Sequence, residues 1–257
     1  MLYCLSGGRR TELKELLAAF LHLIFPSPCR VCHQPLDAAR RSLICSRCWR
    51  HIQPVSEPFC PRCGRPFVSP KSLEASPDHL CGSCRERLPP FAIARAAALY
   101  QADGTMRQAI LLLKYGGRRT LGRHLGRLMV ETAGRLLDPR EFDLLIPVPL
   151  HRRRERARGF NQATLLAREV GRGFGLDVDG RVLKRVRATE AQSGGRRERE
   201  DNVKGAFAVT RPDRVKDKKL LLIDDVFTTG ATAGECARTL LTAGAAEVGV
   251  YTLARVE

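Results

Sequence analysis

One stretch, LLLIDDVFTTGAT at residues 220–232, constrains the fold more than any other part of the chain. Four consecutive apolar residues, Leu220 to Ile223, predict a strand that is buried on both faces of a sheet. Two carboxylates, Asp224 and Asp225, follow at once, although buried strands rarely end in adjacent acids without a ligand. The order of strand, acidic pair, short loop and helix therefore predicts an α/β domain with a ligand site at the carboxyl end of this strand.

The loop after the acidic pair has the composition of a phosphate site. It is short and rich in hydroxyls, it has a glycine where the backbone must turn, and it leads into a helix predicted from Ala231 to Leu241. A helix N-terminus offers unpaired backbone N–H groups and the positive end of a dipole, which favour a phosphate. Ribose hydroxyls suit carboxylate acceptors. The chemistry predicts a ribose 5-phosphate cradle formed by Asp224, Asp225, Thr228, Thr229, Gly230, Ala231 and Thr232.

This stretch resembles the signature with which type I phosphoribosyltransferases bind 5-phosphoribosyl 1-pyrophosphate (PRPP). The resemblance implies their fold, a doubly wound parallel sheet. It places Asp224 and Asp225 on the ribose hydroxyls, where they would also act as catalytic residues by stabilising a positive ribose ring. It places the loop at residues 228–232 on the 5′-phosphate. It further implies Mg²⁺ as a cofactor that arrives with PRPP.

Eight of the ten cysteines form four Cys-x-x-Cys knuckles in the N-terminal third of the chain. Each knuckle presents two thiolates, and two knuckles complete a tetrahedral zinc site. Pairing in sequence leaves loops of 12 and 17 residues, which fit zinc ribbons, and a cross-braced pairing is also compatible with the spacing. We therefore expect two structural zinc ions, held by Cys29, Cys32, Cys45, Cys48, Cys60, Cys63, Cys81 and Cys84.

These patterns predict three parts of the chain. Residues 1–26 are expected to form an N-terminal amphipathic helix, because apolar residues recur there at helical spacing. Residues 27–88 form the double zinc ribbon, and residues 89–257 form the phosphoribosyltransferase-like domain after a pair of prolines. The N-terminal apolar run is too short and too often interrupted to span a bilayer, so no transmembrane segment is expected.

A second buried strand, predicted from Phe142 to Ile146, is followed by a Pro-Val-Pro-Leu-His loop and a run of arginines. In type I phosphoribosyltransferases the loop after the first core strand binds pyrophosphate. The resemblance therefore places candidate pyrophosphate and loop residues here and in neighbouring segments. They are Lys114, Val148, Pro149, His151, Arg152, Arg158, Asn161, Gln162, Gln192 and Arg199.

Several short motifs narrow the resemblance to one family. PVPLH at residues 147–151, RGFNQA at residues 158–163 and Lys114-Tyr115, together with the double zinc ribbon, resemble the ComF/GntX family of competence protein F-like proteins. The match extends over nearly the whole chain. It implies PRPP binding and a role in natural competence, DNA uptake or DNA utilisation. The implied partners are single-stranded DNA or another nucleic acid and a helicase of the competence system.

The charge of the chain fits a polyanionic partner. The formal net charge is +17, and residues 151–219 carry +10 of it, with 20 lysines and arginines against 10 acidic residues. Such a surface attracts nucleic acid and phosphorylated metabolites. Aromatic residues do not alternate with the basic ones, so the sequence does not predict a base-stacking platform.

Three functions are compatible with these motifs. The first, which we favour, is a PRPP-binding protein of DNA uptake or utilisation. The second is an active phosphoribosyltransferase of nucleobase or nucleotide salvage, which transfers the pentosyl group of PRPP to a nitrogen, although salvage requires no zinc ribbon. The third is a non-catalytic zinc-ribbon protein that binds nucleic acid. A cytoplasmic location is expected, because the N-terminal segment lacks the cleavage site of a signal peptide.

Overall fold

The computed structural model describes most of the chain, namely residues 28–36, 43–67, 79–189 and 196–256. The predicted N-terminal helix and the candidate residue Gln192 lie outside these ranges. Contacts divide the chain into two compact units at the bond between His51 and Ile52. The three domains expected from the sequence stay a prediction.

The first unit contains the first two cysteine knuckles. A bridge between Pro28 and Pro35 closes a tight turn around the first knuckle, in which the backbone N–H of Cys29 donates to the carbonyl oxygen of Gln34 at 2.8 Å. The second knuckle begins helix α1 (Ser46–Arg50). The described part of this unit, residues 28–36 and 43–51, is therefore organised by its cysteines.

A four-stranded parallel sheet lies at the centre of the second unit. Its spatial order is β1-β6-β5-β2, with bounds Ile93–Tyr100 for β1, Leu144–Pro147 for β2, Lys219–Phe227 for β5 and Glu247–Val256 for β6. A separate antiparallel pair consists of β3 (Leu183–Arg185) and β4 (Phe207–Val209). Strand β5 has a neighbour on each side, and its residues 220–223 are fully buried, as the apolar run predicts.

Helices cover both faces of this sheet. The helices of the second unit are, in chain order, α2 (Gly82–Glu86), α3 (Thr105–Tyr115), α4 (Arg119–Leu136), α5 (Arg152–Arg158), α6 (Gln162–Phe174), α7 (Arg196–Val203) and α8 (Ala231–Thr242). Helices α4 and α6 pack against each other on one side of the sheet, and α8 packs against β5 and β6 on the other. This arrangement is the doubly wound parallel sheet that the sequence predicts.

Alternation along the strands separates the two faces. Leu220 and Leu222 of β5 share a core with Leu240 of α8. Tyr251 of β6 points the other way, and its hydroxyl donates to the backbone oxygen of Met129 in α4 at 2.7 Å. Because successive strand residues point to opposite faces, each strand of the sheet contributes to both cores.

Strand β5 continues through the acidic pair. The sequence predicts a strand that ends before Asp224, whereas the observed strand ends at Phe227. Its neighbour β6 extends equally far, and the pairs Asp224–Thr252 and Phe227–Arg255 remain in register. The carboxylates therefore lie on regular strand backbone, which fixes their directions.

The second cysteine cluster is built into the core of the second unit. Its cysteines share one apolar cluster with Phe91 and Val250. The backbone N–H of Ala94 in β1 donates to the oxygen of Arg62 at 2.8 Å. Gly64 has a φ of +68°, and a Cβ there would lie 2.5 Å from the oxygen of Ala94. The segments on either side of residue 88 therefore pack as one body.

Across the described residues, no helix has both the length and the apolar character needed to cross a membrane.

Candidate functional site

The first cysteine cluster has the dimensions of a zinc site. The Sγ atoms of Cys29 and Cys48 lie 3.9 Å apart, and those of Cys32 and Cys45 lie 3.6 Å apart. Four sulfurs at about 2.3 Å from one zinc ion would lie about 3.8 Å from one another. The N–H of Cys45 points at the Sγ of Cys29 at 3.3 Å, as expected for a thiolate acceptor. These residues fit structural zinc.

The second cluster combines Cys60, Cys63, Cys81 and Cys84, and all four are buried. The Sγ atoms of Cys63 and Cys81 lie 3.6 Å apart, and the ligand atoms of each cluster all lie within 4.8 Å of one another. The described cysteines are free of disulfides. The structure groups the knuckles in sequence order rather than in the cross-braced arrangement.

The acidic pair lies at the end of β5 against a single lysine. The Nζ of Lys114, at the end of α3, forms an ion pair with Oδ2 of Asp225, which is only 4% exposed. The Nε2 of Gln162, at the start of α6, donates to the other oxygen of Asp225 at 3.4 Å. Arg158 donates to Oε1 of Gln162, so a second cation supports Asp225 through an amide. Asp224 has neither of these partners.

The two carboxyls consequently differ in their affinity for a proton. Burial raises the pKa of Asp224 well above its usual range, and the adjacent charge of Asp225 adds to the effect. Burial acts in the same direction on Asp225, but the charge and hydrogen bond of Lys114 outweigh it and lower the pKa. Burial likewise opposes the charge of Lys114, and Asp225 outweighs it and raises the pKa. Asp225 and Lys114 therefore balance each other, while Asp224 lacks a counter-charge of its own.

The loop after β5 forms the start of α8. Gly230 occupies the N-cap position with a φ of +82°, and a Cβ there would lie 2.7 Å from the ring of Phe227. Only glycine adopts this left-handed backbone beside the ring without strain. The Oγ1 of Thr229 accepts from the N–H of Ala231 at 3.4 Å. In this fully described helix the first turn contains no acidic residue, so the positive end of its dipole faces the loop.

A cavity of about 760 Å³ joins the acidic pair to this loop. Its wall includes Asp224, Asp225, Thr228, Gly230, Ala231 and Thr232 from the predicted cradle. Thr229 instead lines a neighbouring cavity of about 590 Å³ on the other side of the loop. Six of the seven predicted cradle residues therefore share one cavity.

The loop after β2 and the helix ends near it also line the cavity. Five of the candidate pyrophosphate and loop residues line it, namely Lys114, Val148, Pro149, Arg158 and Gln162. The buried side chain of Asn161 holds the loop from behind, because its Nδ2 donates to the oxygen of Val148 at 2.9 Å. The N–H of Val148 in turn donates to the oxygen of Ile223 in β5 at 2.9 Å. The loop is thereby fixed relative to the acidic pair.

Three other candidates lie away from the cavity wall. His151 caps α5, with its Nδ1 accepting from the N–H of Arg153 at 3.4 Å. Arg152 is exposed on the same helix, and Arg199 lies half-buried on α7. The cavity-facing residue of the arginine run is Arg154.

Arg185 on β3 is a cavity residue that the sequence analysis did not single out. Arg185 is 8% exposed, and its Nε has no hydrogen-bond partner. Its Nη2 donates to the hydroxyl of Thr189. The Nη2 of Arg154 donates to the backbone oxygen of Thr189 at 2.9 Å, so one residue orients both guanidinium groups. A signal was present, because the alternation along β3 places Arg185 on the same inward side as the buried Leu183.

Known proteins are similar to this chain over most of its length. Residues 20–85 match the family model of the double zinc ribbon domain. The DNA utilization protein YhgH of Salmonella typhimurium is 35% identical over 238 residues, which cover 91% of this chain and 99% of that protein. Competence protein F of Haemophilus influenzae is 30% identical over 232 residues, covering 88% and 96% of the two chains. The chain belongs to the ComF/GntX family.

Among solved structures, this ComF/GntX protein is similar to an allosteric regulatory enzyme of purine biosynthesis, with 18% identity and a TM-score of 0.38. The match covers 56% of this chain and 30% of that chain. It is also similar to a purine phosphoribosyltransferase from Pyrococcus horikoshii, with 16% identity and a TM-score of 0.33 over 52% and 82% of the two chains. The family model and the sheet topology confirm the expected combination of a double zinc ribbon with an α/β domain built on a parallel sheet.

The unequal environment of the two carboxyls predicts opposite effects of two substitutions in this ComF/GntX protein without ligand. Asp225→Asn leaves Lys114 without its counter-charge and should lower the free energy of unfolding by roughly 1–3 kcal/mol. Asp224→Asn should leave it level or raise it at neutral pH. The pKa of Asp224 is higher in the folded than in the unfolded state, so ionisation of Asp224 opposes folding as the pH rises above the unfolded-state pKa. The stability that Asp224→Asn adds should therefore vanish as the pH falls below the unfolded-state pKa.

Urea unfolding at neutral pH and at a pH below the unfolded-state pKa of aspartate measures both effects. Asp213→Asn, at an exposed carboxylate, is the control and should change little at either pH. Equal destabilisation by Asp224→Asn and Asp225→Asn at neutral pH would contradict this description of the pair.

Proposed function

We propose that this protein binds PRPP together with Mg²⁺ in the cavity at the end of β5 and serves DNA uptake or utilisation. The observation that carries the proposal is the juxtaposition of two carboxylates with a helix N-terminus in one cavity. The acids supply acceptors for hydroxyls, and the loop at residues 228–232 supplies N–H and hydroxyl donors for a phosphate. A ribose 5-phosphate needs both.

The chemistry of the acidic pair also fits Mg²⁺. This ion prefers carboxylate and phosphate oxygens and keeps several of its waters. Asp224 lines the cavity and lacks a lysine of its own, so a divalent cation nearby would favour its ionised form. When bound with PRPP, Mg²⁺ would neutralise negative charge on the phosphates. Asp225, balanced by Lys114, would stay ionised and accept from a ribose hydroxyl.

Arg154 and Arg185 supply the positive charge that a pyrophosphate group requires. Both line the cavity, and Thr189 holds both. Burial lowers the pKa of Arg185, the charge of Arg154 adds to this, and Asp224 opposes it. An anion between these guanidinium groups would offset their repulsion and would provide a partner for the unpaired Nε of Arg185. The pyrophosphate end of PRPP fits this position.

A nucleic acid is the proposed macromolecular partner. Arg152, Arg153 and Arg156 are exposed on α5, next to the cavity-facing Arg154, and form a basic patch near the cavity mouth. The relatives named for DNA utilization support DNA as the polyanion, and the partner proposed is its single-stranded form. The zinc ribbons would serve as a docking module for DNA or for a helicase. A cytoplasmic location suits cysteines that hold zinc in the reduced state.

Calorimetric titration with PRPP and Mg²⁺ tests the proposed ligand, and Arg185→Gln tests its orientation. This variant should weaken PRPP and pyrophosphate by about tenfold or more, because a hydrogen bond to a charged group contributes about 1.5–3 kcal/mol. The affinity for ribose 5-phosphate should stay unchanged. Lys184→Gln, the exposed neighbour on the same strand, is the matched control and should bind all three ligands like the parent.

Absence of PRPP binding by the zinc-loaded parent would overturn the proposed ligand. Equal losses of ribose 5-phosphate and PRPP in Arg185→Gln would overturn the placement of pyrophosphate. Product analysis with nucleobases and with single-stranded DNA as acceptors then separates an active transferase from a PRPP-binding protein.

The basic patch on α5 should bind single-stranded DNA through its phosphates. Affinity should fall steeply with salt and vary little with sequence, since phosphate contacts release counterions. Replacing Arg152, Arg153 and Arg156 by glutamate should lower the affinity and reduce the magnitude of the salt slope by about 0.7 for each lost contact. Fluorescence anisotropy over a range of salt concentrations measures both.

The comparison variant replaces three exposed arginines of α4, at Arg123, Arg127 and Arg135, which lie outside the zinc ribbons, and has the same net charge. If the two triple variants lose equal affinity, net charge rather than the patch on α5 explains DNA binding.

A further inference from the structure

Two buried arginines lie beside the second cysteine cluster. Arg95 on β1 is 8% exposed and Arg255 on β6 is 2% exposed. Among the carboxylates of the described residues, none forms an ion pair with either. Burying a cation without a counter-ion is strongly unfavourable, so the structure must compensate the two charges in another way.

Both guanidinium groups are directed at the same cysteine knuckle. The Nη1 of Arg255 donates to the backbone oxygen of Cys63 at 2.6 Å. The Nη1 of Arg95 donates to the oxygen of Pro61 at 2.9 Å, and its Cζ lies 4.6 Å from the centre of the Phe59 ring. Both contacts place a guanidinium group against the knuckle of Cys60 and Cys63.

A zinc ion bound by four thiolates carries a net charge of −2, because four negative sulfurs surround a divalent cation. Two arginines would balance this charge. The first cluster differs, because its Cys32 and Cys45 are partly exposed, and its described arginines Arg30, Arg47 and Arg50 are exposed. Solvent can compensate the negative charge of the first site, whereas the second site is buried and needs a counter-charge from the protein.

We infer that Arg95 and Arg255 are the counter-ions of a tetrathiolate zinc centre at Cys60, Cys63, Cys81 and Cys84, and that they make it the more tightly held of two unequal zinc sites. The arginines act through the hydrogen-bonded knuckle and through charge, so they are positioning residues. The inference does not depend on the ligand of the large cavity.

The same contacts link the zinc centre to the loop at residues 228–232. The Cζ of Arg255 lies 5.3 Å from the ring centre of Phe227, its partner across the strands. The ring of Phe227 in turn lies directly beside Gly230. A change at Arg255 should therefore also reach the loop.

Zinc release from the purified full chain into excess chromogenic chelator tests the inference. The parent should release two zinc ions, one in a fast phase and one in a slow phase. Arg255→Gln, which keeps a hydrogen-bond donor but removes the charge, should accelerate the slow phase by about tenfold or more. Arg255→Lys, which keeps the charge, should restore most of the slow rate. The fast phase is an internal reference and should not change.

Arg65→Gln is the matched control, because Arg65 lies in the same ribbon but is exposed, and both phases should match those of the parent. Arg95→Gln tests the second counter-ion in the same way and serves as the primary test if Arg255→Gln does not fold. The inference is overturned if the neutral variants release zinc at parental rates, if Arg255→Gln retains zinc as well as Arg255→Lys does, or if the parent releases both ions in a single phase.

Discussion

The ion pair between Lys114 and Asp225 is the interaction on which the site depends. Two adjacent carboxylates at the end of a buried strand would repel each other, and one of them must be neutralised within the protein. Lys114 does this for Asp225, and Gln162 transmits further support from Arg158. Asp224 is left facing the cavity with a raised pKa, so a cation or a polyol there would complete the site.

The second zinc centre and the sheet form one structure, although they come from different parts of the sequence. The knuckle at Cys60 and Cys63 contacts β1 and β6 through backbone hydrogen bonds and two buried arginines. Metal binding to such a cluster contributes to folding free energy. The contacts of this knuckle continue to Arg255 of β6 and, through Phe227, to the loop that begins α8. The ribbon is thus part of the framework that positions the cavity.

Local patterns in the sequence predict the parts of this structure that local chemistry determines. The apolar run before Asp224, the glycine at residue 230 and the knuckle spacing each specify their own backbone, and the structure agrees with them. Contacts between distant segments could not be predicted in this way. Arg185 reaches the cavity from a separate two-stranded sheet, and Arg255 meets Cys63 across 192 residues. Asn161 supports Val148 from behind, and this role depends on how α6 packs.

A crystal structure of the zinc-loaded protein with PRPP and Mg²⁺ tests the central claim most directly. The 5′-phosphate should lie at the loop of residues 228–232, with the ribose hydroxyls within hydrogen-bond distance of Asp224 or Asp225. The pyrophosphate should lie between Arg154 and Arg185. PRPP bound in the neighbouring cavity, or a ribose turned away from both carboxylates at saturating ligand, would contradict the account.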